Sequence, residues 1–320
     1  MTLTYMIRSS LAALAGGLVL ASAAQAEAPQ VKTQAPGFYR MMLGDFEVTA
    51  LLDGILDLPP QKLLTNTTHA QVSKLSTRSF QSETVPTSVN AYLINTGTKL
   101  VLVDAGAAGL FGPTLGQLLG NLKAAGYQPE QVDEIVITHM HGDHVGGLIS
   151  DGKLAFPNAT VHADQHDVDF WLSQANMDKA PKEMKDFFKG AQVSMNPYVA
   201  AGKFKAFDGD TVLVPGVKAV AARGHTPGHT VYAIESKGQK LVLWGDLMHV
   251  AAVQFPQPKV TITFDVDSKA AAAQRLKAYA DAAKGRYLVG SAHLPFPGIG
   301  HIRVDGKGYT WVPLDYNSVR

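Results

Sequence analysis

Runs of apolar residues predict that strands come early in this chain and lie close together. A strand pattern begins at residues 46–51. Residues 90–95 and 99–104 are two further runs of this kind, and the Thr96-Gly97 pair between them is a turn signal. These two runs therefore predict a β-hairpin.

Helical spacing first appears after this hairpin. Apolar residues recur three or four positions apart over residues 115–125, which predicts an amphipathic helix that ends at Gly126. The remaining predicted elements are strands at residues 134–138, 159–163, 217–221, 230–235, 241–244 and 287–289, and helices at residues 164–173 and 268–283. This order predicts mixed sheets with helices outside them. There is no internal repeat, and no linker rich in Gly, Pro or Ser divides the chain.

The first 26 residues have the three parts of a secretory signal. Arg8 supplies the positive charge, residues 11–20 the apolar core, and Ala24-Gln25-Ala26 a small-residue cleavage site. The alternative is a membrane anchor, but about a dozen apolar residues fall short of the roughly 20 that a spanning helix needs. We therefore expect export to the periplasm, no membrane attachment after cleavage of residues 1–26, a leader at residues 27–39 and one domain at residues 40–320.

Charge and composition narrow the chemistry. Lys and Arg total 28 against 27 Asp and Glu in 320 residues, so the chain has no excess positive charge with which to hold nucleic acid. The expected substrate is small and not strongly charged. The chain has no cysteine, which excludes disulfides, thiolate zinc sites and a Cys nucleophile. A metal ion would have to be held by His and carboxylate side chains.

Four side chains that commonly bind metals follow the apolar strand predicted at residues 134–138. They are His139, His141, Asp143 and His144 in the sequence THMHGDH. Alternation at the strand end aims the first two histidines the same way, and the following turn brings the other two round the same point. Isolated histidines are usually core or surface groups, but four such residues at this spacing indicate a metal site.

Three more candidates each come just after a predicted strand. They are His225, Asp246 and His293. Together the seven residues supply five imidazoles and two carboxylates, a set that suits two divalent ions, with zinc favoured by the nitrogen and oxygen donors.

These residues resemble the ligands of the metallo-β-lactamase fold hydrolases, which have an HxHxDH motif followed by His, Asp and His. The resemblance spans residues 40–315 and implies an αββα sandwich, an α+β fold of two mixed sheets flanked by helices. It implies that His139, His141 and His225 bind one zinc ion and that Asp143, His144 and His293 bind the other. Asp246 would bridge the two ions.

Two neighbouring residues are expected to support the ligands. In the sequence GHTPGH we assign His225, the histidine before Thr, as the ligand, and His229 as a group that orients a ligand by a hydrogen bond. Asp104 is similar to the acid that closes the strand hairpin in the family, and we interpret it as a structural group near the metals.

Within this family the chain is similar to the methyl parathion hydrolase group. The similarity rests on the segments LFGPTLG (110–116), KAAGYQPEQVDE (123–134) and FPGIGHIR (296–303). That group implies a binuclear zinc homodimer with an aromatic pocket, here Phe111, Trp171 and Phe187. Phe188 is an equal neighbour of the last residue, so that assignment stays open by one position.

Several departures from the organophosphate-degrading pattern bear on the substrate. His249, Ile262 and Phe264 stand where smaller or more flexible residues are usual, and Gly142 replaces a proline inside the metal motif. The chain is also one residue short near residues 181–186. Helix-forming residues such as Lys182 predict a short mobile helix within residues 177–195, and how this segment lies over the pocket stays open. Bulky side chains narrow a pocket, which favours a planar aryl lactone over a tetrahedral phosphotriester, although these residues could also simply pack.

The sequence therefore predicts a binuclear zinc hydrolase of small neutral aromatic lactones or esters, similar to the dihydrocoumarin hydrolases related to this group. Coordination to metal lowers the pKa of water to about 7, so a metal-bridging hydroxide would attack the carbonyl while Asp143 or Asp246 handles the proton. Phosphotriester hydrolysis is expected as a side activity. Two alternatives stay open: a phosphotriesterase of the methyl parathion type, and a non-catalytic exported zinc-binding protein, which the complete set of seven ligands disfavours.

Overall fold

Two seven-stranded sheets form the framework of the protein, seen in a computed structural model that describes residues 28–318. The predicted signal at residues 1–26 lies outside the described residues. Residues 28–35 form a separate unit and contain no helix or strand. The elements described below all belong to the unit that begins at Pro36. No helix between residues 28 and 318 is long and apolar enough to cross a membrane.

The strands fall into two halves of the chain. Those up to residue 207 are β1 (Phe38–Leu43), β2 (Phe46–Leu58), β3 (Leu64–Thr65), β4 (Val85–Asn95), β5 (Leu100–Val103), β6 (Glu134–Val136), β7 (Ile149–Ser150), β8 (Lys153–Leu154), β9 (Thr160–Asp164) and β10 (Phe204–Phe207). Those after it are β11 (Thr211–Val214), β12 (Val217–Ala221), β13 (Thr230–Ser236), β14 (Gln239–Leu243), β15 (Thr261–Ile262), β16 (Leu288–Gly290), β17 (Ile299–Asp305) and β18 (Gly308–Pro313).

The helices connect these strands. They are α1 (Pro60–Leu63), α2 (His69–Arg78), α3 (Leu118–Ala124), α4 (Gly142–Val145), α5 (Gln165–Trp171), α6 (Gln174–Lys179), α7 (Lys185–Ala200), α8 (Ala251–Gln254) and α9 (Ser268–Gly285).

Each sheet is mixed. The first has the order β1-β2-β4-β5-β6-β9-β10, and β5, β6, β9 and β10 are parallel to one another. The second has the order β11-β12-β13-β14-β16-β17-β18, with one parallel pair, β14 and β16. The carboxyl ends of parallel strands meet at one edge of a sheet, which is where ligands usually bind. The loops after β5, β6, β14 and β16 begin at such edges.

Apolar side chains form three layers, as expected for a sandwich of two sheets between helices. One layer lies between the two sheets and includes Val103, Val136 and Leu243. The outer layers lie between each sheet and its helices, with Phe188 in one and Tyr279 in the other. The predicted αββα architecture is thereby confirmed.

Two local predictions differ from the structure. The helix predicted from residue 115 begins only at Leu118, because Gly116 has a φ of +85° and the Asp53 carboxylate accepts hydrogen bonds from the backbone N–H groups of Gly116 and Leu118. The helix predicted near Lys182 is present but is longer than expected. A 3-10 turn there leads into the 16-residue helix α7, which buries Phe188, Ala191 and Met195 in the core.

Candidate metal centre

The seven predicted ligands all follow strands whose ends meet at one edge of the sandwich. His139 and His141 follow β6, and the chain then turns directly into α4, which carries Asp143 and His144. The other three follow strands of the second sheet: His225 comes after β12, Asp246 after β14 and His293 after β16. The two sheets therefore contribute to one site.

The donor atoms of these residues converge in two groups. His139, His141, His225 and Asp246 form one, and Asp143, His144, His293 and Asp246 form the other. Within each group the donor atoms lie within 4.8 Å of one another. Since Asp246 belongs to both groups, its carboxylate is placed between them as the resemblance implies.

The site fits metal ions because buried atoms in it lack other partners. His139 Nε2, His144 Nε2 and Asp246 Oδ1 are buried and accept or donate no hydrogen bond. Nearly all buried polar atoms in proteins have a partner, so each such atom calls for an explanation. His141 Nδ1 and His225 Nε2 also face each other at 3.2 Å. Imidazole and carboxylate donors in this arrangement fit two divalent ions.

Electrostatics keep several of these groups in their metal-binding forms. Burial, together with neighbouring histidines, holds the pKa of His139 and His141 well below the usual value, so both rings are neutral. Burial alone would raise the pKa of Asp246, but the surrounding histidines, His144 first among them, hold it well below its usual range. A neutral imidazole and an ionised carboxylate are the forms that bind metal ions.

Three other histidines of the site, His144, His225 and His293, instead have a raised pKa, because neighbouring aspartates outweigh burial. Burial lowers the pKa of His225, but its hydrogen bonds to Asp246 and Asp265 outweigh burial and raise the pKa to about 9 in the metal-free protein. A metal ion must therefore displace a proton here.

Asp104 and His229 lie directly behind ligands. Asp104 Oδ2 accepts a hydrogen bond from His144 Nδ1 at 2.8 Å and another from the Thr138 hydroxyl, which leaves His144 Nε2 facing the centre. His229 Nε2 accepts a hydrogen bond from the Asp246 backbone N–H at 3.0 Å. His229 is outside both donor groups, whereas His225 is in one of them. Each of the two residues therefore forms a hydrogen bond with a predicted ligand.

The sequence analysis missed two buried carboxylates beside the centre. Asp265 Oδ1 accepts a hydrogen bond from His225 Nδ1 at 2.8 Å. Asp167 accepts three, from the N–H groups of Met140 and Gly228 and from the Thr226 hydroxyl, and so joins the loops that carry His141 and His225. These hydrogen bonds lower the pKa of Asp167, but burial outweighs them and raises it to about 6. Neither aspartate belongs to a motif, so no local signal separates it from surface aspartates.

Of the three aromatic residues predicted to form the pocket, Trp171 and Phe187 contact His141 in the first donor group, whereas Phe111 does not line the same cavity. Phe187 packs on the His141 ring at a centroid distance of 4.9 Å, whereas Phe188 is buried against Phe170 and Trp171 in the core. A cavity of about 220 Å³ is lined by His141, Trp171, Phe187, Phe264 and Asp265, among others. Phe111 lies apart from it, in an apolar groove of about 380 Å³ on the far side of Phe187.

His249 and Ile262 are buried in the wall behind this cavity. His249 Nε2 donates a hydrogen bond to Asp246 Oδ2 at 3.0 Å, and its ring stacks on His293. Its other face meets Phe264 at a centroid distance of 5.9 Å. Ile262 packs in an apolar cluster with Leu64 and Val260. The two residues therefore limit the size of the site from behind rather than forming its surface.

Comparison with known proteins gives a consistent picture. The profile of the metallo-beta-lactamase superfamily matches residues 84–290. An N-acyl homoserine lactonase from Bacillus sp is 30% identical over 171 residues, which are 48% of this chain and 60% of that protein. The chain thus spans less than two thirds of the length of that curated relative.

Two solved structures match over most of their length. The hydrolase AbOPH of the beta lactamase superfamily is 41% identical with a TM-score of 0.85, covering 89% of this chain and 100% of that one. AidC, a dizinc quorum-quenching lactonase solved with the product N-hexanoyl-L-homoserine, is 28% identical with a TM-score of 0.82, covering 88% and 99%.

Proposed function

Because the chain belongs to the metallo-β-lactamase superfamily, we propose that it is a metal-dependent hydrolase that opens aryl lactones at a centre of two zinc ions. The lactonase relatives support the reaction class, and the two convergent donor groups support the metal requirement. We infer the preference for aryl lactones over other lactones and esters from the shape of the pocket.

The shape of the cavity beside His141 carries this proposal. The Phe187 and Phe264 rings both line it and lie 6.2 Å apart between centroids, and His249 contacts Phe264 from behind at 5.9 Å. A bicyclic aryl lactone is planar and needs only a narrow cavity with one aromatic ring against which it can stack. A phosphotriester is tetrahedral and its two alkoxy arms need width in every direction.

Different residues of the chain would bind the two metal ions and orient the substrate. His139, His141 and His225 would hold one ion, and Asp143, His144 and His293 the other, with Asp246 shared. Bound divalent ions supply Lewis acidity, which polarises a carbonyl oxygen and lowers the pKa of water to about 7. The aromatic wall formed by Phe187 and Phe264 orients the acyl carbon of the lactone toward the centre and excludes bulk water from it.

Asp143 is the carboxylate best placed to hold the reaction's proton. Its side chain is 13% exposed, against 2% for Asp246, which is enclosed by histidines and already accepts a hydrogen bond from His249. Burial alone would raise the pKa of Asp143, but His144 and His293 lower it below its usual value, so a proton on Asp143 Oδ2 would be passed on toward the site of ring opening rather than kept. An aryl leaving group departs as a phenolate and needs little help from an acid.

A phosphotriesterase of the methyl parathion type is the second candidate. The apolar groove beyond Phe187 supports it, because a space of about 380 Å³ beside Leu110 and Phe111 would accept an alkoxy arm.

We further propose export to the periplasm, from the signal pattern at residues 1–26, and a homodimer. Size-exclusion chromatography with light scattering of the mature chain tests the dimer.

The deciding experiment compares substrates on the purified, zinc-loaded mature protein. Dihydrocoumarin, N-hexanoyl-homoserine lactone and methyl parathion are assayed side by side, with a chelator-treated sample as the control. We expect kcat/KM for dihydrocoumarin to exceed that for methyl parathion by about 100-fold, or about 2.7 kcal/mol of transition-state discrimination.

Each other result has a clear meaning. Equal or faster phosphotriester turnover would make the protein an organophosphate hydrolase. Preference for the N-acyl lactone would retain the lactonase and reject the aryl preference. Full activity after chelation, or in His141→Ala and Asp246→Ala, would reject the metal mechanism.

A further inference from the structure

The side chain of one buried glutamine forms hydrogen bonds to two segments that lie next to the pocket, residues 247–250 and residues 258–262. Gln254, at the end of α8, is fully buried, and its Oε1 accepts hydrogen bonds from the backbone N–H groups of His249 (2.8 Å) and Val250 (2.9 Å). Its Nε2 donates to the carbonyl oxygen of Val260 at 3.1 Å. One amide side chain thus connects the two ends of the stretch between Val250 and Val260, which contains α8.

A buried arginine on α9 also forms hydrogen bonds to both segments. Arg275, on α9, is fully buried and donates through Nε to the carbonyl oxygen of Leu247. Its Nη1 donates to the carbonyl oxygens of Pro258 (3.2 Å) and Val260 (2.6 Å). Among the described residues it forms no ion pair within 4 Å, although fully buried arginines are normally paired.

These attachment points lie next to the residues that limit the pocket. Leu247 comes two residues before His249, and Val260 comes two residues before Ile262. Both side chains meet at the Val260 carbonyl, so the amide and the guanidinium act on one point of the second segment. Neither group contacts a predicted metal ligand by a hydrogen bond.

We propose that Gln254 and Arg275 are positioning residues that set the separation of His249 from Phe264 and so determine which substrate shape the pocket accepts. The inference rests on the proposed function, because it explains the preference for planar substrates over tetrahedral ones. The first segment belongs to the loop between β14 and α8, and the second leads into the two-residue strand β15, which pairs with β3. Without these bonds the first segment would be free to move away from the second. Phe264 lines the cavity beside His141 and His249 supports it from behind, so the cavity would change shape without any substitution of the residues that line it.

The test removes the amide and keeps its volume. In Gln254→Met the loop loses three hydrogen bonds, and we expect the ratio of kcat/KM for dihydrocoumarin over methyl parathion to fall about tenfold. The change should come mainly from a higher KM for the lactone, with zinc content unchanged. The crystal structure of the variant should show the His249 and Phe264 ring centroids further apart than 5.9 Å.

Tyr198→Phe is the matched control. Tyr198 is also fully buried and its hydroxyl accepts a hydrogen bond from the Phe156 N–H at 3.1 Å, but it lies on α7 in the other half of the sandwich. This variant loses a buried polar group of similar type, and its substrate ratio should equal that of the wild type. A fall in the ratio of similar size in this control would overturn the proposal, because it would mean that any loss of stability changes selectivity.

A double variant separates positioning from general stability. In a His249→Ala background the ring that contacts Phe264 is already absent. Adding Gln254→Met should therefore leave the ratio of kcat/KM for dihydrocoumarin over methyl parathion unchanged. Additive effects would overturn the proposal. If Gln254→Met does not fold, Arg275→Lys replaces it, because a lysine can reach one or two of the three carbonyl oxygens and should lower the ratio by a smaller factor.

The failures are distinguishable. A folded, zinc-loaded Gln254→Met with an unchanged ratio and an unchanged ring separation overturns this inference and leaves the lactonase in place. A wild-type protein that hydrolyses neither substrate overturns the proposed function and this inference with it.

Discussion

Asp265 Oδ1 lies 2.8 Å from His225 Nδ1, while Oδ2 of the same carboxylate accepts a hydrogen bond from the Ile262 N–H at 3.1 Å. One side chain therefore holds a metal ligand and the backbone of the pocket wall together. Carboxylates in this position fix the tautomer of a ligating histidine and make its other nitrogen a better donor. Asp265 therefore connects the predicted metal centre to Ile262, which lies behind the cavity.

Asp265→Asn is expected to weaken zinc binding at the site that contains His225. Asparagine keeps the shape but loses the charge that orients the ring, and such changes typically lower metal affinity about 10–100-fold. Competition with a chelating dye measures the affinity. Asp267→Asn is the control, because Asp267 is exposed and caps α9 two residues away, where asparagine serves equally well. Equal zinc affinity in the two variants would contradict the role of Asp265.

Zinc affinity of the metal-free protein should rise with pH. The pKa of His225 is raised from 6.5 to about 9, so the folded metal-free protein holds this proton at neutral pH and zinc must displace it. The apparent dissociation constant should fall about tenfold per pH unit for each proton displaced, up to about pH 9. By the same linkage, the stability that His225 gives the metal-free protein is full below 6.5 and is lost as pH rises through 9. A zinc affinity that does not change between about pH 6 and about pH 8 would contradict this.

Asp167→Asn should destabilise the protein and loosen the three-histidine site. An asparagine oxygen can accept two of the three hydrogen bonds, and its amino group then faces the third donor, at a cost of about 1–3 kcal/mol. Urea unfolding measures this loss, and zinc stoichiometry measures the effect on the site. Thr226→Val removes a single donor and should have a smaller effect on both. If the two variants behave alike, Asp167 does not join the loops.

Gly142→Ala should alter substrate binding without removing metal. A Cβ at residue 142 would lie 3.0 Å from Phe111 Cε2 and 3.2 Å from Leu110 Cδ1, so Phe111 must move by a few tenths of an ångström. Since Phe111 is partly exposed it can do so, and we expect a change of a few-fold in KM with zinc content intact. Gly120→Ala is the control, because its added Cβ meets nothing within 4 Å. Loss of zinc in Gly142→Ala would show that this glycine serves the metal centre instead.

Removal of metal should lower the melting temperature by several degrees. A ligand that binds only the folded state at about 1,000 times its dissociation constant contributes about 4 kcal/mol. Calorimetry before and after chelation, and again after zinc is restored, measures the change. A melting temperature unaffected by chelation would mean that the donor groups hold no metal in the folded protein.

Much of the site could be predicted because its chemistry is local. His139, His141, Asp143 and His144 lie within six residues, and the strand before them sets their direction. His225, Asp246 and His293 were found because each follows a strand, where the backbone turns and side chains face the sheet edge. The strands themselves were predicted well for the same reason, since alternation and apolar runs report burial directly.

The elements that were wrong or missed depend on distant contacts. The start of α3 is decided by Asp53, more than 60 residues away, which binds the N–H groups that would otherwise begin the helix earlier. Helix α7 is long because its apolar face finds the core beside Phe156 and Trp171. Neither partner is visible in the local pattern.

The sequence by itself determined the candidate ligand types and their order along the chain, because spacing is a property of neighbouring residues. Periodicity indicated mixed sheets with helices outside them, and the arrangement in two sheets was implied by the family resemblance that the candidate ligands carry. Only the tertiary structure decided that Asp265 and Asp167 support the ligands, that Phe187 rather than Phe188 faces His141, and that Gln254 and Arg275 hold the pocket wall. These roles come from hydrogen bonds and packing between segments far apart in sequence. Any aspartate, glutamine or arginine has the same chemistry in isolation, and its partners are fixed only when the chain folds.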